Sequence, residues 1–488
     1  MLKNSNIIRA ACALIIAFIV LITAFRLSPV AHAQRRGDAR GRANASPAAP
    51  SRAPRRDPDL ARLLAEIDAR NIERTVRKLV SFGTRNTLSA QDNPARGIGA
   101  ARDWLYNEFQ KIARPLGSRM TVELQSYEQP KAARVPQPTK ITNVVATLHG
   151  KFTDGEVYAT PETVPVYVVS GHYDSMCTSP TDATCDAPGA NDDASGVAAV
   201  VEMARVMSRR EFEATIVFMA VAGEEQGLLG ATHYAEQAKQ NNLNIEAMFT
   251  NDIVGNSLGG NGVRDRNTVR VFSEGVPSNE TPEEATTRRG TGGENDSSAR
   301  QLARFIKDVG ATYMPAFNVQ MIYRRDRYLR GGDHIPFLER GFAAVRFCEP
   351  NEDYTHQHQN VRTENGKVYG DLPEFVDYGY IAQVARLNAA ALAALARAPA
   401  RPKGVSLLTR RLTNDTDLQW TANTEADLAG YEIVWRETSS PVWTNSRMVG
   451  NVTTYTVSGM SKDNYFFGVR AVDRQGNRSP VSFPRPVR

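Results

Sequence analysis

The chain has 488 residues, 41% of them apolar, with four cysteines and a formal net charge of +6. That length exceeds one ordinary hydrophobic core and calls for two folded domains. The charge lies mostly outside them: residues 1–33 contribute +3 and residues 34–58, with seven Arg against Asp38 and Asp57, contribute +5, leaving −2 for the rest and excluding nucleic acid as a partner of the folded part.

At the N-terminus, Lys3 and Arg9 precede an apolar run from Ala10 to Phe25, and Ala31-His32-Ala33 stands before Gln34. Residues 1–33 therefore read as a secretory signal peptide, and the protein is expected to be secreted or periplasmic. An uncleaved anchor is the alternative, since the run is nearly long enough to span a bilayer. Residues 34–58, rich in Arg, Ala and Pro, cannot bury apolar surface and are predicted to be disordered. A basic arm of this kind could touch the anionic cell envelope or nucleic acid, but it reads first as a solvated spacer. Cys12 belongs to the signal, so three cysteines remain. Cys177 and Cys185, eight residues apart, are expected to form a disulfide in an exported protein, with Cys348 a small buried side chain.

Residues 59–397 form the first domain. Leu60, Leu63, Leu64 and Ile67 recur at helical spacing, as do Ala101, Trp104, Leu105 and Phe109, so residues 57–115 read as helical. Apolar runs at Ile141–Leu148, Val164–Val169, Ile216–Ala222, Ala247–Phe249 and Ala343–Phe347 read as strands, with a helix from Ser195 to Met207 between two of them. Strand, loop and helix in repeated order predict an α/β fold, a mostly parallel mixed sheet with helices on both faces. The polar stretch 276–297 reads as an excursion near the site mouth, able to act as a lid. Residues 398–404, Ala-Pro-Ala-Arg-Pro-Lys-Gly, read as a linker. Beyond it, residues 405–488 switch to short alternating strands such as Gly430–Arg436 and Phe466–Asp473, the pattern of an all-β sandwich.

The chemistry gathers at the ends of the predicted strands of the first domain, where open α/β sheets place their sites. His172 and Asp174 end one strand and Asp192-Asp193 lies in the loop beyond it. Glu224 and Glu225 end the next, Asp252 follows another, and His356 and His358 come after the last. Adjacent glutamates are common on solvated helix faces, but here a buried strand delivers them. Imidazoles and carboxylates converging in this way are the ligand set of zinc. One ion would use three of them. Two ions roughly 3.5–4 Å apart, bridged by a carboxylate, would use His172, Asp192, Glu225, Asp252 and one histidine of the His356-Gln357-His358 run. Glu224 is left as the general base for an attacking water, and Asp174 as the acceptor that fixes the His172 tautomer.

At these residues the chain resembles the co-catalytic di-zinc exopeptidases, the family of secreted bacterial leucyl aminopeptidases and glutamate carboxypeptidase II. The motifs His-Tyr-Asp-Ser, Asn-Asp-Asp-Ala-Ser-Gly, Gly-Glu-Glu-Gln-Gly, Thr-Asn-Asp and Gly-Gly-Asp-His-Ile-Pro-Phe occur in the family's order over residues 60–397. The resemblance implies two Zn²⁺ per chain, Asp192 as the bridge, Glu224 as the catalytic base and Glu225 as a ligand. It implies His356 as the last ligand, because Asn360 stands four positions on, where the family has Asp. Asp333 is placed near the polar end of the substrate, His334 is given a structural role and Asp193 a supporting one. The implied activity is that of a monomeric aminopeptidase acting on peptide or protein N-termini. Glutaminyl cyclase shares the fold and the Asp-His-Ile-Pro-Phe segment but works with one zinc, and a non-catalytic ectodomain would lack ligands. The C-terminal strands resemble a fibronectin type III module. Because every expected ligand precedes the linker, a chain cut near residue 400 is expected to keep its site.

Overall fold

The amphipathic helices Pro58–Ala65, Ala69–Val80 and Ile98–Ala113 begin the described chain, each burying the apolar face that its spacing requires. The computed structural model describes residues 56–151 and 164–488; the expected signal and the segment up to residue 55 lie outside the described residues. Asp57, assigned from sequence to the disordered segment, instead caps the first helix by accepting the Asp59 N–H at 2.8 Å.

Eight strands form the main sheet: β1 (Met120–Gln129), β2 (Thr139–Leu148), β3 (Val166–His172), β4 (Thr215–Val221), β5 (Ile245–Asn251), β6 (Thr268–Phe272), β7 (Asn318–Ile322) and β8 (Ala344–Cys348). Their order is β1-β2-β4-β3-β5-β8-β6-β7. The central strands β4, β3, β5 and β8 run parallel, while β1 on β2, β2 on β4 and β6 on β8 are antiparallel. Parallel neighbours present their C-terminal ends at one edge, so β3, β4, β5 and β8 deliver their following residues to the same place. Every residue of β3 and β4 is buried. Successive side chains of β3 enter different cores: Tyr167 and Val169 join the cluster under the helices Ala194–Met207 and Tyr378–Leu395, whereas Val166 and Val168 join the one under Leu229–Gln240. The helix Ala194–Met207 lies so close to the sheet that a Cβ on Gly196 would fall 2.1 Å from the Asn251 carbonyl oxygen. Only glycine fits there.

A short hairpin, β9 (Arg362–Glu364) with β10 (Lys367–Tyr369), follows. The sandwich has two sheets, one ordered β15-β12-β11-β17 and one β14-β13-β16. They comprise β11 (Ser406–Leu408), β12 (Thr416–Gln419), β13 (Leu428–Glu437), β14 (Asn445–Gly450), β15 (Thr454–Val457), β16 (Tyr465–Asp473) and β17 (Arg485–Val487). Trp420, Tyr431, Ile433, Phe467 and Val469 fill the core between them.

The sandwich is not loosely hung. Arg436 on β13 reaches Asp296 at 2.7 Å, both side chains almost fully buried, and Asp296 also receives Arg304 at 2.8 Å. Trp443 donates its indole N–H to Gln301 at 2.9 Å, and linker residue Arg401 pairs with Glu246 at 2.9 Å. The 276–297 stretch, expected as a lid, contains the helix Pro282–Thr291, whose Glu284 pairs with Arg485 of the sandwich at 2.6 Å. Glu284 and Asp296 thus reach the sandwich, while Arg288 pairs with Glu280 and Glu294 within the stretch.

Candidate metal centre

The aligned strand ends set the site. His172 closes β3 and points its Nε2 at Asp192 Oδ1, 3.1 Å away, and at Asp252 Oδ1, 3.8 Å away. His358 brings its Nε2 to 2.9 Å from Asp192 Oδ2 and 3.1 Å from Glu225 Oε1. Two groups of three donors result, His172 with Asp192 and Asp252, and His358 with Asp192 and Glu225, each with ligand atoms within 4.8 Å of one another. Asp192 belongs to both, one carboxylate oxygen to each. Glu224 joins His172 and Glu225 in a third such group and stands beside the pair.

These groups fit metal ions better than they fit one another. Buried His172 Nε2 makes no hydrogen bond in spite of its short approach to Asp192, so lone pairs converge on a common space. Burial pushes the Glu224 carboxyl well above its ordinary range, with His172 working against it and Asp252 and Glu225 adding to it. Burial likewise raises Glu225, and His358 opposes it. Several buried carboxylates, with two imidazoles and the guanidinium groups of Arg346 and Arg85 to balance them, need further positive charge.

The last ligand is a correction. His356 does not reach the cluster: its ring stacks on Phe375 at a centroid distance of 3.8 Å and its Nδ1 lies 3.6 Å from Asp353. The loop takes a left-handed turn at His358, φ 50°, which swings that imidazole inward instead. Asn360 accepts the Thr178 N–H at 3.2 Å, and Thr178 lies within the loop closed by the Cys177–Cys185 disulfide. Cys348 is free and buried.

Asp174 also differs from expectation. His172 Nδ1 meets the Asp174 main-chain oxygen at 3.2 Å, with the nearer carboxylate oxygen at 3.7 Å. The carboxylate accepts the Glu224 N–H at 3.3 Å and the Glu225 N–H at 3.1 Å, so Asp174 locks the base-and-ligand loop to the end of β3. Asp193 joins Asp192 through a cis peptide and accepts N–H groups from His172 and Gly196, each at 3.0 Å. His334 is buried and bonds the Arg325 carbonyl at 2.8 Å. Asp333 is buried with neither carboxylate oxygen bonded, and burial pushes it up to about 8.

Three supports were not foreseen. Asp371, raised by burial to about 7, accepts the Asp192 N–H at 2.6 Å and the Asn191 N–H at 2.9 Å. Arg85 is fully buried and donates to the carbonyls of Tyr173 at 2.7 Å and Gly189 at 2.9 Å. Arg346 on β8 pairs with Asp252 at 2.9 Å. Isolated Arg and Asp residues carry no pattern in a sequence that would mark such roles.

The pattern of peptidase family M28 matches residues 143–370, the stretch that holds every member of the cluster, and a fibronectin type III domain matches residues 400–488. A protein of Leptosphaeria maculans named a probable zinc metalloprotease is 49% identical over 433 residues, which cover 89% of this chain and 98% of that one. The chain belongs to peptidase family M28. A second relative under the same name, from Pyricularia oryzae, is 50% identical over 436 residues, 88% of this chain and 85% of its own. Among solved structures, the Legionella pneumophila LapA aminopeptidase matches with a TM-score of 0.46 at 20% identity, covering 69% of this chain and 74% of that one. As an M28 peptidase the chain has a hydrolase's site at the strand ends of an α/β sheet, followed by the sandwich.

Proposed function

We propose that this M28 peptidase is an exported zinc aminopeptidase that removes N-terminal residues from peptides, using two Zn²⁺ held by His172, Asp192, Glu225, Asp252 and His358. The observation that carries the reading is the pair of three-donor groups sharing Asp192, with Glu224 beside them and on neither. The relatives' names support zinc, and His and carboxylate donors suit it. Zinc bound there supplies Lewis acidity toward a peptide carbonyl and an attacking water.

The chain's own residues do the rest. Glu224 takes the proton of the water at a side-chain oxygen and passes it to the leaving amine, and the burial that raises its proton affinity suits both transfers. Asp174, through the two N–H groups it accepts, keeps Glu224 and Glu225 in separate roles. Asp333, buried with both oxygens unbonded, is a fitting partner for a peptide's α-ammonium. Export rests on the N-terminal sequence and on the Cys177–Cys185 disulfide, which belongs in oxidising surroundings. The sandwich serves as a spacer.

The test combines metal analysis with paired variants on aminoacyl p-nitroanilides and their N-acetylated forms. Cleavage of the free but not the blocked substrates is expected. Glu224→Gln should lower kcat at least roughly 10²-fold with both ions retained, whereas Glu225→Gln should lose metal. Turnover of blocked peptides at equal rates would overturn the aminopeptidase reading. One ion in a fully active chain that cyclises N-terminal glutamine would replace it with the cyclase.

A further inference from the structure

The centre is asymmetric in a way its ligands alone do not show. Arg346 is fully buried on β8; its Nη2 lies 2.9 Å from Asp252 Oδ1 and also donates to the Asp252 main-chain oxygen at 3.2 Å. Its Nη1 meets Asp326 Oδ2 at 3.2 Å and the Gly331 carbonyl at 2.8 Å. The fork is therefore fixed from both sides, and it grips Asp252 at both carboxylate and backbone. The Glu225 carboxylate has no such partner among the described residues. Arg134 reaches only its main-chain oxygen, at 2.8 Å, and the carboxylate's charged neighbour is His358.

Space for the guanidinium is built into the chain. Position 332 is Gly, and a Cβ there would lie 3.0 Å from Arg346 Nη1 and 3.3 Å from Asp252 Oδ2. Gly332 and Arg346 are thus complementary: one leaves the volume that the other's charge occupies.

We propose that Arg346 is a positioning residue that makes the two halves of the centre unequal, holding Asp252 in place while drawing off its charge, so that the His172–Asp252 half binds its ion more weakly than the Glu225–His358 half. This rests on the two-ion reading above. A fixed cation beside a carboxylate weakens that carboxylate's attraction for a second cation, and burial makes the effect strong because solvent screens it little.

The experiment is a stepwise Zn²⁺ titration of the metal-stripped full-length chain against a competing chelator, with activity not used as the readout. Wild type should show two steps separated by at least tenfold in Kd. Removing Arg346 alone would leave Asp326 buried with Arg327, 3.1 Å away, as its remaining arginine, so the variant used is Arg346→Met with Asp326→Asn. Its weaker step should tighten at least tenfold while the tighter one moves less than threefold. Gly332→Ala, whose Cβ would press on Arg346 Nη1 at 3.0 Å and on Asp252 Oδ2 at 3.3 Å, should shift the weaker step and leave the tighter one within threefold. A purely structural role would move both steps or neither. Two ions of equal affinity in wild type, or a weaker step unmoved in both variants, would overturn the role of Arg346 and leave the two-ion centre standing. A single binding step of one ion in wild type would instead remove the centre itself.

Discussion

Arg436→Met tests whether the sandwich is part of the folded peptidase or an appendage. Arg436 and Asp296 are 2% and 1% exposed and 2.7 Å apart, so the substitution leaves Asp296 buried with one partner fewer. Removing one member of a buried pair costs about 3–5 kcal/mol. Asp296 keeps Arg304 at 2.8 Å and the Gln301 amide at 3.0 Å, which places the loss at the lower end. Stacking of the guanidinium on Trp443 and Phe466, at 5.2 and 4.4 Å, disappears as well. A loss of about 3 kcal/mol corresponds, for a cooperative unit of roughly 430 residues, to a Tm lower by about 3–4 °C. Differential scanning calorimetry measures it, and kcat at low temperature should be unchanged because Arg436 is remote from the strand ends. Adding Asp296→Asn should lower stability further, since buried Arg304 then loses its carboxylate, but by less than the same change costs in the wild-type chain, where Arg436 is stranded as well. A Tm within about 2 °C of wild type, or strictly additive effects in the double variant, would refute the reasoning. A chain cut at residue 400 removes Arg436 from Asp296 and Trp443 from Gln301, and is expected to melt below the full chain while its proposed ligands stay in place.

Two further predictions are quick to check. His358→Gln should lose the tighter of the two ions and at least roughly 10²-fold in kcat/KM, whereas His356→Gln should keep both ions and lower only thermal stability through the lost Phe375 stack, by about 1 kcal/mol; elemental analysis separates them. Burial raises the Glu352 carboxyl, but Arg327, Arg346 and Arg270 outweigh it and hold it down at about 2. Its stabilising contribution is complete above its ordinary value of 4.5 and is lost as pH falls toward about 2. Glu352→Gln should therefore lower the Tm at neutral pH and flatten the acid limb of Tm against pH in that window; an unchanged limb would show that the three arginines do not act on it.

The strand ends were legible because continuous apolar runs such as Ile216–Ala222 have few other uses, and the polar residues that end them stand out. The last histidine was not. Spacing along a loop does not say which imidazole turns inward; the left-handed backbone at His358 decides that, and no residue type near it announces it. Strands β1 and β7 were missed for a related reason. Both are largely exposed, so their side chains do not spell out a buried run. The antiparallel flanks of the sheet depend on connectivity, which local pattern does not carry. Asp174 was read for its side chain on His172, whereas its carbonyl makes the closer contact and its carboxylate holds the next strand's loop.

Three of the five candidate ligands inherit their positions from strand ends and Asp192 stands just before a helix, but His358 stands on a loop whose neighbour is a covalent ring. Thr178, inside the Cys177–Cys185 loop, exchanges hydrogen bonds with Asn360 in both directions, at 3.2 and 3.3 Å. The loop that carries one donor is thus tied by two hydrogen bonds to a covalent ring far from it in the chain. Reduction of the disulfide is therefore expected to loosen the loop that carries His358 while the sheet stays folded, and metal analysis before and after reduction checks it.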